Sequence, residues 1–238
     1  LFRSMIFWQS VRNTLLISLY KLIFGFPASV IFALMVNELR TKAFRNTVQT
    51  ISYLPHFLSW VILGSIVHDV LSLDGVINYL ISLLGGTKIQ FLTEPKCFRA
   101  ILVITGMWKE VGWGTIVYLA ALTGLDQELY EAAVIDGAKK MQQLWYITLP
   151  GILSTIIMML ILRVGSVMDA GFGQILVMYN PTVYKVSDII QTYVYRIGLG
   201  KMDFSLGTAV GLFNSIVALV LVVGTNMISR RTVGKSIW

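Results

Sequence analysis

The chain has 238 residues, of which 56% are hydrophobic and only 13% are charged. Soluble domains carry about 25% charged residues, so this composition excludes a soluble enzyme, a disordered regulator or a nucleic-acid-binding module as the default. In so apolar a chain, the formal net charge of +7 indicates contact with the anionic head groups of a membrane and no nucleic-acid partner.

Five stretches of the chain are predicted to cross a membrane, because each approaches the roughly 20 mostly apolar residues that a spanning helix needs. They are Thr14–Val36, Thr47–Leu73, Phe98–Thr123, Leu149–Met168 and Phe204–Ile228. Too little polar sequence remains to cover five buried helices of a soluble protein. We therefore expect an all-α, polytopic transmembrane bundle that forms a single domain over residues 1–238.

Polar residues interrupt the second span. His56 follows Pro55, so we expect the helix to kink there and His56 to face a neighbouring span. His68 and Asp69 have the chemistry of a proton relay or a metal site. Because they lie near the end of the apolar run, an interfacial pair is the favoured interpretation, and no metal site is predicted.

The third span contains a group of aromatic and charged residues: Trp108, Lys109, Glu110 and Trp113. Adjacent residues on a helix point about 100° apart, so at least one charge is expected to face the bundle interior. Two interpretations remain open. The rings and Glu110 form the wall of a sugar path, or the group is an aromatic belt whose charges reach the membrane interface.

The last two spans carry three further polar residues. Arg163 lies inside the fourth span and Asp169 follows it, so the two either pair or Asp169 faces the exit. Asn214 lies in the chargeless fifth span and forms either a helix–helix contact or part of the path. The candidate substrate-path residues are thus Trp108, Glu110, Trp113 and Asn214.

The segment between the third and fourth spans is predicted to form two short helices outside the bilayer. Asp126 can accept hydrogen bonds from the free N–H groups that begin the first helix, and Gly137, after Asp136, can end it in a left-handed conformation. The second helix, Ala138–Tyr146, has an apolar face formed by Met141, Leu144 and Trp145. An exposed apolar face of this kind indicates a docking surface.

The same segment carries a specific motif. Its fixed positions are Glu131, Ala132, Ala133, Gly137, Ile147, Leu149 and Pro150. This motif resembles the EAA loop in the membrane subunits of type I ABC importers of bacteria. Three further regions, Trp108–Trp113, Val186–Ile190 and Tyr195–Gly198, resemble the carbohydrate-uptake branch, and within it permeases for oligosaccharides and polysaccharide fragments in Gram-positive bacteria.

The resemblance implies the fold and the orientation. The type I permease fold usually has six spans, so a first span is expected before Leu1. The EAA loop, residues 125–150, is expected in the cytoplasm, which decides an orientation that the even distribution of basic residues leaves open. The residues expected to couple the chain to an ATPase are Glu131, Ala132, Ala133, Asp136, Gly137, Met141, Leu144, Trp145, Leu149 and Pro150.

The resemblance also implies partners and a place in the cell. These are a second, unlike permease subunit, two copies of a cytoplasmic ATPase, an extracellular solute-binding protein and the lipid of the bacterial plasma membrane. ATP and Mg²⁺ are expected on the ATPase, with no cofactor in this chain. Gly234, Lys235 and Ser236 look like the end of a phosphate-binding loop, but Ser229 stands where that motif needs glycine.

An ion-gradient-driven secondary transporter is the alternative function. It would require paired carboxylates or unwound helices near mid-membrane in two matching halves, and the sequence shows no internal repeat. A membrane enzyme would require a cluster of His, Asp and Glu or a Ser/Lys pair at one membrane level, and none stands out.

Overall fold

The computed structural model describes residues 4–200, 204–232 and 234. The α-helices in these ranges are α1 (Met5–Tyr20), α2 (Phe26–Asn37), α3 (Lys42–Phe57), α4 (Trp60–Leu71), α5 (Val76–Leu83), α6 (Pro95–Thr123), α7 (Gln127–Ile135), α8 (Lys140–Gln143), α9 (Leu149–Gly165), α10 (Phe172–Met178), α11 (Tyr184–Ser187), α12 (Ile190–Val194) and α13 (Phe204–Thr232). Lys235 and Ser236, part of the phosphate-loop-like sequence, lie outside the described residues.

Within the described residues, five helical stretches are long and apolar enough to cross a membrane, which confirms the predicted all-α architecture. They are Met5–Asn37, Trp60–Leu83, Pro95–Thr123, Lys140–Asp169 and Phe204–Arg231. Four of them extend the predicted stretches at one or both ends. Apolarity marks the part of a helix inside a bilayer, whereas the helix itself continues into polar sequence.

The second predicted span, Thr47–Leu73, is wrong. Its first half belongs to α3, which packs on α6. The helix then ends, and Leu58 and Ser59 both have an extended backbone conformation. The Ser59 side chain accepts a hydrogen bond from the Ile62 amide at 3.3 Å and so begins α4 as an N-cap. The membrane-length stretch is therefore the one formed by α4 and α5.

Lys109 explains why the break at the end of α3 is stable. Its ammonium group donates to the carbonyl oxygens of Pro55 at 3.2 Å, His56 at 2.7 Å and Leu58 at 2.6 Å. The last carbonyls of a helix have no partner within the helix, and Lys109 supplies one from α6. The side chain is only 7% exposed, so its charge is buried between α3 and α6.

A one-turn π-helix precedes a proline in two spans. Lys21–Gly25 comes shortly before Pro27, and Leu144–Thr148 comes shortly before Pro150. Proline lacks an N–H, and its ring crowds the carbonyl four residues earlier. A π-turn changes the hydrogen-bond register at that point, so the helix continues past each proline. For this reason the predicted separate helix over Ala138–Tyr146 is wrong: α8 runs through the π-turn into α9.

Three clusters of buried apolar side chains hold the described helices together. The cluster nearest the EAA loop joins α2, α6 and α9 and consists of Val30, Ala33, Tyr118, Leu122 and Ile152. The other two join α1, α4, α6 and α13 to the residues after α9. On α13, by contrast, Leu219 and Val220 are more than 60% exposed, as expected for a surface in contact with lipid or another subunit.

The residues after α9, 166–200, form what we call the distal segment, because α9 carries the chain from the EAA loop to the opposite end of the bundle. Its centre is Asp188, which is only 3% exposed. The carboxylate accepts two hydrogen bonds from Arg196, at 3.1 and 2.6 Å, and one from Thr192 at 2.8 Å. The hydrogen bond to Asp188 raises the pKa of Arg196 above its ordinary value, so the guanidinium remains charged.

The distal segment is also tied to α1 and α6. The Asn13 amide donates to the carbonyl oxygens of Lys185 at 3.2 Å and Asp188 at 3.1 Å. Arg99 donates to the Asn13 side chain at 2.8 Å and to the Val186 carbonyl at 3.1 Å. These contacts join residues far apart in sequence and fix the segment on the spans.

Candidate functional site

The EAA loop is ordered by hydrogen bonds at both ends of α7. The Asp126 carboxylate accepts from the Glu128 amide at 2.9 Å, so Asp126 is the N-cap that the sequence predicted. Gly137 has φ = +75°, the left-handed conformation predicted for it. The Ala138 amide then donates to the Ala133 carbonyl at 2.8 Å, as in a Schellman termination. The bend at Gly137 is thus set by backbone geometry.

Two contacts attach the EAA loop to the spans. The Tyr130 hydroxyl lies 2.9 Å from the Thr148 hydroxyl, so α7 is bonded to the π-turn before α9. Lys140 at the start of α8 forms an exposed ion pair with Glu38, just after α2. The loop is therefore joined to the start of α9 and to the end of α2.

The EAA loop exposes a group of large apolar side chains: Leu129, Val134, Ile135, Met141, Trp145 and Tyr146. Of the predicted coupling residues, the exposed ones are Glu131, Ala132, Asp136, Gly137, Met141, Trp145 and Pro150, and the partly buried ones are Ala133, Leu144 and Leu149. Val134, Ile135 and Tyr146 were not among the residues predicted from the sequence. The sequence feature that could have identified them is the presence of apolar residues on both sides of Gly137. Ile135, for example, is 86% exposed.

A cavity of about 410 Å³ lies between the spans. Its aromatic and charged lining residues are Lys21, Phe26, Trp60, Glu110, Trp113, Tyr118, Arg163 and Asp169. Of the four candidate path residues, Glu110 and Trp113 line this cavity. Trp108 lies outside the lining and is 46% exposed. Asn214 also lies outside it, on α13.

Glu110 and Trp113 are held in place by His56 at the end of α3. The rings of His56 and Trp113 stack in parallel with centroids 4.4 Å apart. His56 Nδ1 lies 3.3 Å from the nearer Glu110 carboxylate oxygen, outside hydrogen-bond geometry. His56 therefore faces a neighbouring span, as predicted, and it packs behind two residues that line the cavity.

Lys21 is a cavity residue that sequence analysis missed, although a lysine inside a span was a signal for one. Its ammonium donates to the Ala170 carbonyl at 2.9 Å and to the Gln174 side chain at 2.5 Å. Gly171 between them has φ = +83°, and a Cβ there would lie 2.5 Å from the Lys21 nitrogen. The π-turn of the first span thus holds the start of the distal segment against the cavity.

Arg163 and Asp169 both line the cavity but do not pair with each other. The ion pairs between lysine or arginine and a carboxylate in the described residues are Lys88–Asp74, Lys140–Glu38 and Arg196–Asp188. The Asp169 carboxylate accepts a hydrogen bond from the Phe172 amide at 3.4 Å. Over the described part of the chain, no group of three or more His, Cys, Asp or Glu residues is placed to hold a metal ion.

Comparison with known proteins agrees with this architecture. Protein LplB of Bacillus subtilis is 47% identical over 226 residues, which cover 94% of this chain and 71% of LplB. The polygalacturonan/rhamnogalacturonan transport system permease protein YteP of the same organism is 43% identical over 232 residues, covering 97% of this chain and 72% of YteP.

A solved structure is similar over the whole chain. It is the crystal structure of a bacterial alginate ABC transporter in complex with an alginate pentasaccharide-bound periplasmic protein. Its matching chain is 44% identical with a TM-score of 0.96, covering 100% of this chain and 83% of that one. The type I permease fold implied by the EAA motif is thereby confirmed.

The family assignment rests on most of the chain. Residues 25–234 match the family model described as binding-protein-dependent transport system inner membrane component. This range includes the EAA loop, the distal segment and most of the residues that line the cavity. The chain belongs to the family of inner membrane components of binding-protein-dependent transport systems.

Proposed function

We propose that this chain is a permease subunit of an ATP-binding cassette importer that carries oligosaccharides or polysaccharide fragments across the bacterial plasma membrane by alternating access. The observation that carries the proposal is the EAA loop, which combines a rigid bend at Gly137 with large exposed apolar side chains. Such a surface favours a protein partner, and its ties to Thr148 and Glu38 reach two spans.

In this mechanism the loop is the coupling element. Met141, Trp145 and the apolar end of α7 insert into a cleft on a cytoplasmic ATPase, while Ala132 and Ala133 allow close approach. Glu131 and Asp136 are surface contacts, and Gly137 holds the bend. When the ATPase closes on ATP, the cleft moves the loop. The equilibrium between the two states of the permease then shifts, because the ATPase binds the two states with different affinity.

The partners follow from the same mechanism. Two ATPase subunits bind ATP and Mg²⁺, this chain binds neither and hydrolyses nothing, and a second, unlike permease completes the pore. An extracellular solute-binding protein delivers the sugar to the side of the distal segment. The alginate ABC transporter structure, which contains a pentasaccharide-bound periplasmic protein, supports the solute-binding partner.

The substrate path is proposed along the cavity. Trp60 and Trp113 contribute aromatic rings to the lining, and Glu110 contributes a carboxylate that can accept hydrogen bonds from sugar hydroxyls. Lys109 is excluded from this role because its ammonium is occupied by three backbone carbonyls.

Purification of the intact complex from its host, through a tag on this chain, tests the proposal. We expect one copy of this chain, one of a different permease and two of an ATPase by mass measurement, with ATP hydrolysis stimulated by the loaded binding protein. Sugar uptake that continues without ATP but collapses with the ion gradient would instead identify a secondary transporter.

A further inference from the structure

The cavity contains four charged side chains; two of them are hydrogen-bonded within the chain, and a third lies beside a histidine. Lys21 donates to two oxygen atoms. Glu110 lies beside His56, and Asp169 accepts from the Phe172 amide. Over the part of the chain that the structure describes, Arg163 has no hydrogen bond, ion pair or ring contact with another residue through its guanidinium.

Arg163 lies in α9, inside a membrane-length stretch. A charged side chain inside a membrane is costly unless it is paired or hydrated, and it is a candidate functional residue for that reason. A guanidinium presents five N–H donors in a planar fork that matches a carboxylate. Because no carboxylate of the described chain occupies that fork, the position is suited to a carboxylate on a ligand.

The other lining groups fit a sugar that carries such a carboxylate. Lys21 uses two of its three N–H donors within the chain, which leaves one directed elsewhere. Ser18, Ser29 and Ser166 bring hydroxyl groups to the same cavity, and Trp60 and Trp113 bring aromatic faces. A neutral sugar would satisfy these hydroxyls and rings equally well but would leave the Arg163 charge without a partner.

We propose that the cavity is selective for acidic oligosaccharides and that Arg163, assisted by Lys21, binds the carboxylate of a uronic acid unit. This inference rests on the proposed function and names its substrate class. Glu110 and Asp169 also face the cavity, so the preference depends on the position of the guanidinium and not on the cavity's total charge.

A thiol introduced into the cavity provides a readout that does not depend on transport. Ser166 is exposed and lines the cavity, so Ser166→Cys, combined with Cys97→Ser, is labelled in the purified complex by an anionic or a cationic methanethiosulfonate. Trigalacturonate and the neutral galactotriose are then compared as protecting ligands. Thr93→Cys, at a position that is exposed outside the cavity, provides the matched control thiol.

We expect trigalacturonate to protect the cavity thiol at concentrations at which galactotriose does not. Arg163→Gln should raise the trigalacturonate concentration for half-protection about tenfold or more, because a hydrogen bond to a charged group is lost. Arg163→Lys should raise this concentration by a smaller factor, since lysine keeps the positive charge. In Arg163→Gln, the ratio of the anionic to the cationic labelling rate should also fall at the cavity thiol. The same ratio should stay constant at the control thiol. Because both reagents react with the same thiolate, the ratio does not depend on how far the thiol is ionised.

Three results would overturn the inference. Equal protection by the two sugars, or protection by neither, would show that the cavity does not select for a carboxylate. Selective protection that persists in Arg163→Gln would assign the selectivity elsewhere. Loss of the second permease from the Arg163→Gln complex would show that Arg163 pairs with that subunit. In each case, ATP-dependent uptake measured on the unsubstituted complex still tests the proposed function separately.

Discussion

The EAA loop and the distal segment both connect membrane-spanning stretches, but they place polar and apolar side chains in opposite ways. The EAA loop exposes apolar residues such as Ile135 and Trp145 to the surroundings. The distal segment buries an ion pair, Asp188 with Arg196, and bonds it to α1 and α6 through Asn13 and Arg99. We propose that the first region contacts another molecule, whereas the second is fixed to its own chain by buried hydrogen bonds.

The difference matters for a transporter with two states. A coupling element must be rigid within itself yet attached to the bundle by few contacts, so that it moves as a unit. A buried, geometrically demanding polar network, by contrast, opposes displacement because any partner left alone is costly. We therefore expect variants of the distal segment to affect stability and variants of the EAA loop to affect coupling.

The largest expected effect is on stability in the distal segment. Asp188→Ala leaves the Arg196 charge without its partner and should destabilise the complex by about 3 kcal/mol, at the low end for a buried pair, because the Arg196 side chain is 34% exposed. The apparent unfolding temperature of the purified complex measures this loss.

Asp74→Ala is the matched control, since Asp74 pairs with Lys88 but its side chain is 94% exposed. An exposed pair is worth about 0–1 kcal/mol, so this variant should unfold almost like the unsubstituted protein. Equal losses in the two variants would contradict the distinction between the two kinds of ion pair.

The second prediction concerns the apolar surface of the EAA loop. Trp145→Ala should weaken ATPase binding by about 2 kcal/mol, the effect of a tryptophan central to an interface, with little change in unfolding temperature because the side chain is 61% exposed. Titration of detergent-solubilised permease with the ATPase measures the affinity. Tyr79→Ala, which removes a similarly exposed ring on α5, should leave the affinity unchanged; a loss as large as that of Trp145→Ala would make the effect non-specific.

The third prediction separates the bend from the contact surface. Gly137→Val places a β-branched side chain at φ = +75° and should cost about 1–2 kcal/mol in loop conformation, reducing ATP-dependent uptake severalfold. Steric crowding does not explain this expected defect, since no atom lies within 4 Å of a Cβ at this position. Gly137→Asn, which tolerates the left-handed region, should transport nearly normally, and equal defects in the two variants would rule out the conformational explanation.

The smallest effect is expected at the ion pair between Lys140 and Glu38. Both side chains are more than 60% exposed, so Lys140→Ala should change stability by under about 1 kcal/mol. Uptake per ATP hydrolysed measures coupling in the same protein. A strong loss of coupling in this variant would show that the loop drives α2 chiefly through this pair.

Local sequence determined much of the EAA loop. Asp126 as N-cap and Gly137 as the left-handed terminator follow from side-chain chemistry and backbone sterics, which act over a few residues. Four of the five membrane-length stretches likewise follow from what a bilayer requires of a spanning helix. These features needed no knowledge of neighbouring helices, so sequence analysis could identify them.

The tertiary structure decided the features that depend on contacts between distant residues. The end of α3 is set by Lys109 on α6, more than fifty residues away, and no local signal distinguishes that break from a proline kink. Pro150 in the same way looked like the start of a new helix, whereas a π-turn carries α8 past it. The cavity gathers Lys21, Glu110 and Arg163 from three separate spans. The sequence by itself determined four of the five membrane-length stretches and the bend of the EAA loop, because hydrophobicity and backbone sterics are local. Only packing decided where the second stretch begins and which charges meet in the interior.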